Sequence, residues 1–266
     1  TPSIRHLRES ADAFPKKLNW FFGTIFENSR RDNGQLLYSC PPSMLDILYE
    51  DEAFVFINKP AGIVVQQRMH EPDEPFLHDL VMRHTSPAYL MQRLDRGTSG
   101  VIFFSKRGDL NVRFTRQFER KRIRKRYLAL CDGELREKQT VDAPIGRIGA
   151  IKFGVRDDGK RAVTHIAPLA AQPSGSLLSI DLETGRTHQI RVHLAAIGHP
   201  LAGDWLYGEK NAARPMLHAA EIEMTHPLTH QQLRVAAPVP EDFREEARRR
   251  GMPSCFEDEV NGLRDS

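Results

Sequence analysis

"MQRLDRGTSGVIFFSK" runs from Met91 to Lys106. Its second half, Val101 to Phe104, is an unbroken apolar run, which reads as a strand buried on both faces. Small turn-forming residues, Gly97-Thr98-Ser99-Gly100, lead into it. Just before the turn stands one carboxylate, Asp95, with Arg93 on one side and Arg96 on the other. Neighbouring positive charge favours the ionised form of an acid. An ionised, positioned aspartate can serve as nucleophile or base. The stretch is equally compatible with a structural salt bridge.

Working outward, "MLDILYEDEAFVFINKPAGIVVQ" holds two apolar runs around Glu50-Asp51-Glu52, the pattern of a hairpin that ends in a Pro-Gly turn. Residues 109–120 place Leu110, Phe114 and Phe118 at helical spacing, with Arg113, Arg116 and Arg120 on another face. "RYLALC" reads as a strand on which Tyr127, Ala129 and Cys131 share one side. Further strands are expected at 162–169, 176–182, 217–224 and 232–237. "HQIRVHLAAIG" gives a short helix stopped by Gly198. "PEDFREEARRRG" gives another, with acids in its first turn and arginines in its last. Strands outnumber helices and hairpin connections dominate. The expected class is therefore α+β, with a mixed, mostly antiparallel sheet and flanking helices and loops.

The 266 residues suffice for one large domain with a small appendage. No stretch approaches the roughly 20 apolar residues of a membrane span, and the start lacks a signal-peptide layout. Cys40, Cys131 and Cys255 are far apart, with no CxxC pair, which fits a reducing compartment better than disulfides or zinc. The cytoplasm is the expected location, or an organelle matrix if the N-terminus is processed. Residues 1–44, with five aromatics between Phe14 and Phe26, form an N-terminal extension, read as a helix on the core or a docking arm. Residues 45–250 form the main domain and 251–266 an acidic tail.

Net charge is only +3, but "RFTRQFERKRIRKR", from Arg113 to Arg126, holds eight basic residues and one acid. Such a stripe is either a solvated face or the footprint of a polyanion. "DLETGRTHQIRVHLAAIGHPLAGDWLYG", from Asp181 to Gly208, gathers Arg186, His188, Arg191, His193 and His199. The histidine spacing is not that of a zinc helix, and no metal is expected. Arg191 lies among Ile190, Val192 and Leu194, so it is part-buried and needs an anion, for which Asp95 is a candidate.

These residues resemble a known family. "RLDRGTSG" is similar to the HRLDxxTSG signature of the RluA family of RNA pseudouridine synthases. "ILYEDEAFVFINKPAG", "RKRYLALCDG", "GRTHQIRVHLAAIGHPLAGDWLYG" and "LHAAEIEMTHP" follow in the family's order, over about residues 45 to 240. "APIGRIGAIKFGVRDDGKRAVT" is similar to the branch that acts on ribosomal RNA. The resemblance implies the pseudouridine synthase fold around an RNA-binding cleft, with isomerisation of uridine in structured RNA and no cofactor. It implies Asp95 as the catalytic aspartate, Tyr127 as the tyrosine stacked on the target base and Arg191 as the partner of Asp95. Arg93 matches an arginine that enters the RNA stack. Arg96, Arg113, Arg116, Arg120, Lys121, Arg122, Arg186 and His188 are the further candidate RNA contacts. Gln92 departs from the family's histidine, and residues 1–44 do not read as the S4 domain that many relatives carry. Ribosomal RNA is the expected partner, transfer RNA the alternative, and the chain is expected to be a monomer. The competing readings are an assembly factor that keeps the fold without turnover, and a glycoside hydrolase, disfavoured by the missing second acid.

Overall fold

The computed structural model describes residues 45–66, 76–120 and 122–253. The expected N-terminal extension, Lys121 and residues 254–266 of the acidic tail lie outside them. The described chain opens with β1 (Ile47–Glu50) and β2 (Phe54–Lys59), the expected hairpin. Helix α1 (Leu77–His84), β3 (Tyr89–Leu90) and β4 (Ser99–Ser105) follow, then α2 (Asn111–Glu119) and β5 (Arg124–Cys131). After β6 (Gln139–Asp142), a small separate hairpin is formed by β7 (Ile145–Arg147) and β8 (Phe153–Val155). The order continues with β9 (Val163–Gln172), β10 (Gly175–Leu182), α3 (Gln189–Ala196), β11 (Leu217–Thr225), β12 (Gln232–Ala236) and α4 (Glu241–Arg249).

Ten strands make one sheet, in the order β1-β2-β4-β11-β5-β10-β9-β6, with β12 added to β11 and β3 to β4. Every pairing is antiparallel except β4 with β11. This is the expected mixed, mostly antiparallel α+β sheet. β4 is buried along its whole length, as its apolar run requires. The parallel contact needs Gly100: a Cβ there would stand 2.1 Å from the Ala219 carbonyl oxygen, at a φ of +109° that side chains avoid.

The period of two on β5 divides the core. Tyr127, Ala129 and Cys131 join Leu178, Ile180 and Leu217 on one face. Leu128 and Leu130 join Leu177, Phe243 and Ala247 on the other, under α4. On the first face Phe114 of α2 meets Phe54 edge-on at 4.7 Å, and Phe56 stacks on Phe103 at 5.0 Å. Ile190 and Leu194 anchor α3 to that same core. The residues expected to carry chemistry thus collect on the Tyr127 side. Among the described residues no helix is long and apolar enough to cross a membrane.

Candidate active site

Asp95 lies in the loop that enters β4, and buried cations hold that loop. Lys59, at the end of β2, is fully buried. Its Nζ donates to the carbonyl oxygens of Pro60 at 2.8 Å and Arg96 at 3.2 Å. Burial, together with the positive charge of Arg214, pulls its pKa down to about 7, although Asp95 pulls the other way. Arg214, also buried, donates to the Gly97 carbonyl oxygen at 3.0 Å and to Ser99 Oγ at 3.2 Å. Its Nε and Nη2 also donate to the two oxygens of Asp242. The backbone around Asp95 is therefore clamped from β2 and from the segment before β11.

Arg191 projects from α3 into the same place. The sequence offers Asp95 as a candidate for the anion it needs; that pair forms, but it is part-exposed rather than buried, and a second aspartate carries most of the neutralisation. The main partner is Asp204, fully buried, whose two oxygens accept from Arg191 Nε and Nη2, each at 2.7 Å. Asp95 Oδ2 accepts only from Nη1, at 3.1 Å, and its side chain stays 32% exposed. Burial alone would lower the Arg191 pKa, but the bonds to Asp204 and the charges of Asp204 and Asp95 raise it, so the guanidinium stays charged. Gly203 lets the chain reach this point. A Cβ there would lie 2.2 Å from the Arg214 carbonyl oxygen, at φ +74°.

His188 caps α3 in the left-handed conformation, φ 57°, a strained choice for a residue with a side chain. Its ring bridges the site: Nε2 lies 3.7 Å from Asp95 Oδ2 and Nδ1 lies 2.8 Å from Tyr207 Oη. Tyr207 places its ring 5.1 Å from the Arg191 guanidinium carbon and accepts a bond from the Phe153 amide at 3.0 Å. The loop before α3 is fixed by buried Gln189, which accepts from Thr184 Oγ1 and the Arg186 amide and donates to Val163 and Thr164. The other two histidines are elsewhere. His193 binds Thr164 and the Ala143 carbonyl oxygen, and His199 the Asp132 carbonyl oxygen.

Tyr127 sits on β5 beside this group, only 7% exposed. Burial, reinforced by the charge of Asp95, raises its phenol well above the ordinary tyrosine range, so it stays protonated at neutral pH. Its hydroxyl makes no hydrogen bond among the described residues. A part-exposed carboxylate thus lies within reach of the charge effects of a neutral phenol and is bonded to a fixed guanidinium.

The remaining expected contacts divide. Arg93 is exposed, while Gln92 is turned back onto β4, donating to the Val101 carbonyl oxygen. Arg96 donates to the Gly62 carbonyl oxygen and Arg186 to that of Arg161; both are exposed. In the basic stripe, Arg116, Arg120 and Arg122 are exposed. Arg113 is exposed but donates to the Pro227 carbonyl oxygen at 2.9 Å. Lys121 lies outside the described residues. Arg124 and Arg126 leave the stripe altogether. They turn to the opposite face of β5 from Tyr127 and pair with Asp181, Glu223 and buried Glu221. The sequence reading missed Asp204, Lys59, Arg214, Gln189 and Tyr207. Its only available signals were "NKPAG", "GDWLYG" and the glutamine after His188 in blocks it had already singled out.

Residues 53–196 match the RNA pseudouridylate synthase family. Over 213 residues the chain is 40% identical to the uncharacterized RNA pseudouridine synthase YhcT of Bacillus subtilis, spanning 75% of this chain and 70% of that protein. It is 38% identical over 217 residues to ribosomal large subunit pseudouridine synthase D of Nitrosomonas europaea, spanning 75% of this chain and 63% of that one. Two solved human structures, RNA pseudouridylate synthase domain containing 1 and 4, superpose with TM-scores of 0.64 each, at 26% and 25% identity. They cover 77% and 78% of this chain and 87% and 94% of theirs.

Proposed function

The chain belongs to the RNA pseudouridylate synthase family, a family of isomerases, and from that premise we propose that it converts uridine to pseudouridine in ribosomal RNA, with Asp95 as the catalytic residue. The observation that carries this reading is the hold on Asp95. One oxygen takes a single bond from Arg191, and the side chain remains open to a ligand.

The reaction breaks the N1–C1′ bond of uridine and joins C1′ to C5. The proton on C5 is lost and N1 gains one, so nothing is oxidised or reduced. The target base must first leave the stack, because a carboxylate on a clamped loop cannot reach into a helix. Asp95 then attacks the nucleotide or removes a sugar proton. Arg191 holds and orients the carboxylate. Tyr127 offers a flat face to the uracil and a neutral hydroxyl near the atoms that exchange protons. Arg93 fills the vacated place in the stack. Exposed arginines of the α2 end hold phosphate. The ribosomal target rests on the names of relatives such as synthase D of Nitrosomonas europaea; transfer RNA is the alternative substrate.

The test is tritium release from RNA carrying 5-tritiated uridine. Large-subunit ribosomal RNA transcripts are expected to lose tritium and transfer RNA transcripts to keep it. Release from transfer RNA alone transfers the substrate assignment. Release from neither RNA, with tight binding to both, favours an assembly factor.

A further inference from the structure

The described residues leave nine large apolar side chains exposed, and four of them belong to two neighbouring features. Ile148, Ile151 and Val155 stand on the β7–β8 hairpin, and Trp205 stands on the turn that carries Asp204 and Tyr207. The two features meet at Tyr207, whose hydroxyl accepts the Phe153 amide and whose ring lies 5.6 Å from Lys152 Nζ.

We infer that Trp205 is a stacking platform for a base of the RNA strand flanking the target uridine, with the β7–β8 hairpin as the adjoining grip. This rests on the RNA reading above and deepens it. Trp205 is 53% exposed although it is the largest side chain available for burial. Its backbone is not free to fold it away. The Trp205 amide bonds the Gly203 carbonyl oxygen, the Leu206 amide bonds Asp204 Oδ1, and the Gly208 amide bonds the Asp204 carbonyl oxygen. The residue before it anchors Arg191, and the residue two after it packs on Arg191. The backbone that carries the indole is therefore fixed next to the group that holds Asp95.

The surroundings select the ligand. The hairpin itself, Ile145 to Val155, holds no acid, while Arg147 and Lys152 are basic; Arg156, just beyond it, is paired with exposed Asp158. Asp204, the one acid of the turn, is fully buried and paired. An exposed aromatic face, apolar tips and the two hairpin cations Arg147 and Lys152 match single-stranded nucleic acid, which offers bases to the first and phosphates to the last. An extruded nucleotide also needs its neighbours held, or the strand recoils into its stack.

The chain has two tryptophans, so in a Trp20→Phe background Trp205 reports alone. Decauridine and a transcript of large-subunit ribosomal RNA are titrated against it, following both tryptophan emission and the anisotropy of labelled RNA. Emission is expected to be quenched with the same midpoint as the anisotropy change. Trp205→Ala should weaken binding about tenfold or more, and Trp205→Phe, which keeps a flat ring, should weaken it less. Binding with unchanged emission and an unchanged midpoint in Trp205→Ala overturns the inference, while tritium release by the parent protein leaves the pseudouridine synthase reading standing. Self-association that disappears in Trp205→Ala with RNA affinity intact also overturns it, assigning the patch to a second copy of the chain. No binding of either RNA overturns both readings.

Discussion

Two carboxylates reach the same guanidinium and are held in opposite ways. Asp204 is fully buried and takes two bonds of 2.7 Å from Arg191, while also capping the turn amides of Leu206 and Tyr207. Asp95 takes one bond of 3.1 Å and keeps 32% of its side chain exposed. The first has its capacity as an acceptor used up by the protein. The second keeps capacity in reserve for a ligand. A buried arginine costs several kcal/mol to desolvate and must be fully neutralised, so it cannot depend on an acid that has to react. Splitting the two tasks between two aspartates resolves the conflict.

The largest expected effect falls on the reactive side. Asp95→Asn is nearly isosteric and gives up one partly exposed ion pair, worth about 1 kcal/mol or less to stability. Single-turnover pseudouridine formation should nevertheless fall at least a thousandfold, with RNA affinity retained. Product formation near the parental rate breaks the comparison, because Asp95 would then be as structural as Asp204.

Asp204→Asn sharpens it from the other side. It removes the charge that neutralises buried Arg191, and the expected cost is about 3–5 kcal/mol of stability, read as a lower denaturation midpoint at unchanged slope. Activity falls too, because Arg191 is then free to swing onto Asp95. A loss of stability in Asp95→Asn larger than in Asp204→Asn would invert the assignment.

How much of this was legible follows from which contacts are local. The β1–β2 hairpin, α2, α3, α4 and the face shared by Tyr127, Ala129 and Cys131 announce themselves by periodicity within a dozen residues. The burial of Arg191 was legible as well, from its apolar neighbours. Its pairing with Asp95 was legible from the resemblance, but its second and closer partner was not, since nothing in "GDWLYG" shows that the turn brings Asp204 back onto α3. Lys59 looks like an ordinary surface lysine before a proline until the sheet closes over it. The β7 and β8 strands have three residues each, too few to show an alternation, and the eight-residue helix α1 was likewise passed over.

Lys59 gives a pH test of the clamp behind Asp95. In the folded protein its pKa lies near 7; in the unfolded chain it returns to about 10.5. Between those values the unfolded state binds more protons, so this group makes folding stability rise with pH from about 7 to about 10.5. The slope is on the order of 1 kcal/mol per pH unit. Below pH 7 both states carry the proton and the contribution is flat. Urea denaturation at pH 7, 8 and 9 should show a rise in the parent that Lys59→Met lacks. Equal slopes in the two proteins would mean that Lys59 is solvated and that the loop carrying Asp95 is not clamped as described.

The division between used and reserved groups recurs in the basic stripe, where the expected effects are smallest per residue. The run Arg113–Arg126 looks uniform as sequence, but it changes period where α2 ends and β5 begins. On β5, Arg124 and Arg126 fall on the face opposite Tyr127, among Asp181, Glu221 and Glu223, and their charge is spent inside the protein. Arg116, Arg120 and Arg122 are exposed and make no ion pair with the described residues, so they remain available to phosphate. Changing these three together to glutamine should weaken RNA binding for all sequences alike. It should also lower the log–log salt slope by about 0.7 for each single-strand phosphate that the protein no longer neutralises. The Arg124→Gln, Arg126→Gln double variant should leave that slope unchanged and lose stability instead, because Glu221 is left buried with one partner fewer. A salt slope that falls in the second variant and not in the first would place the RNA on the other face of β5, away from Tyr127 and Asp95.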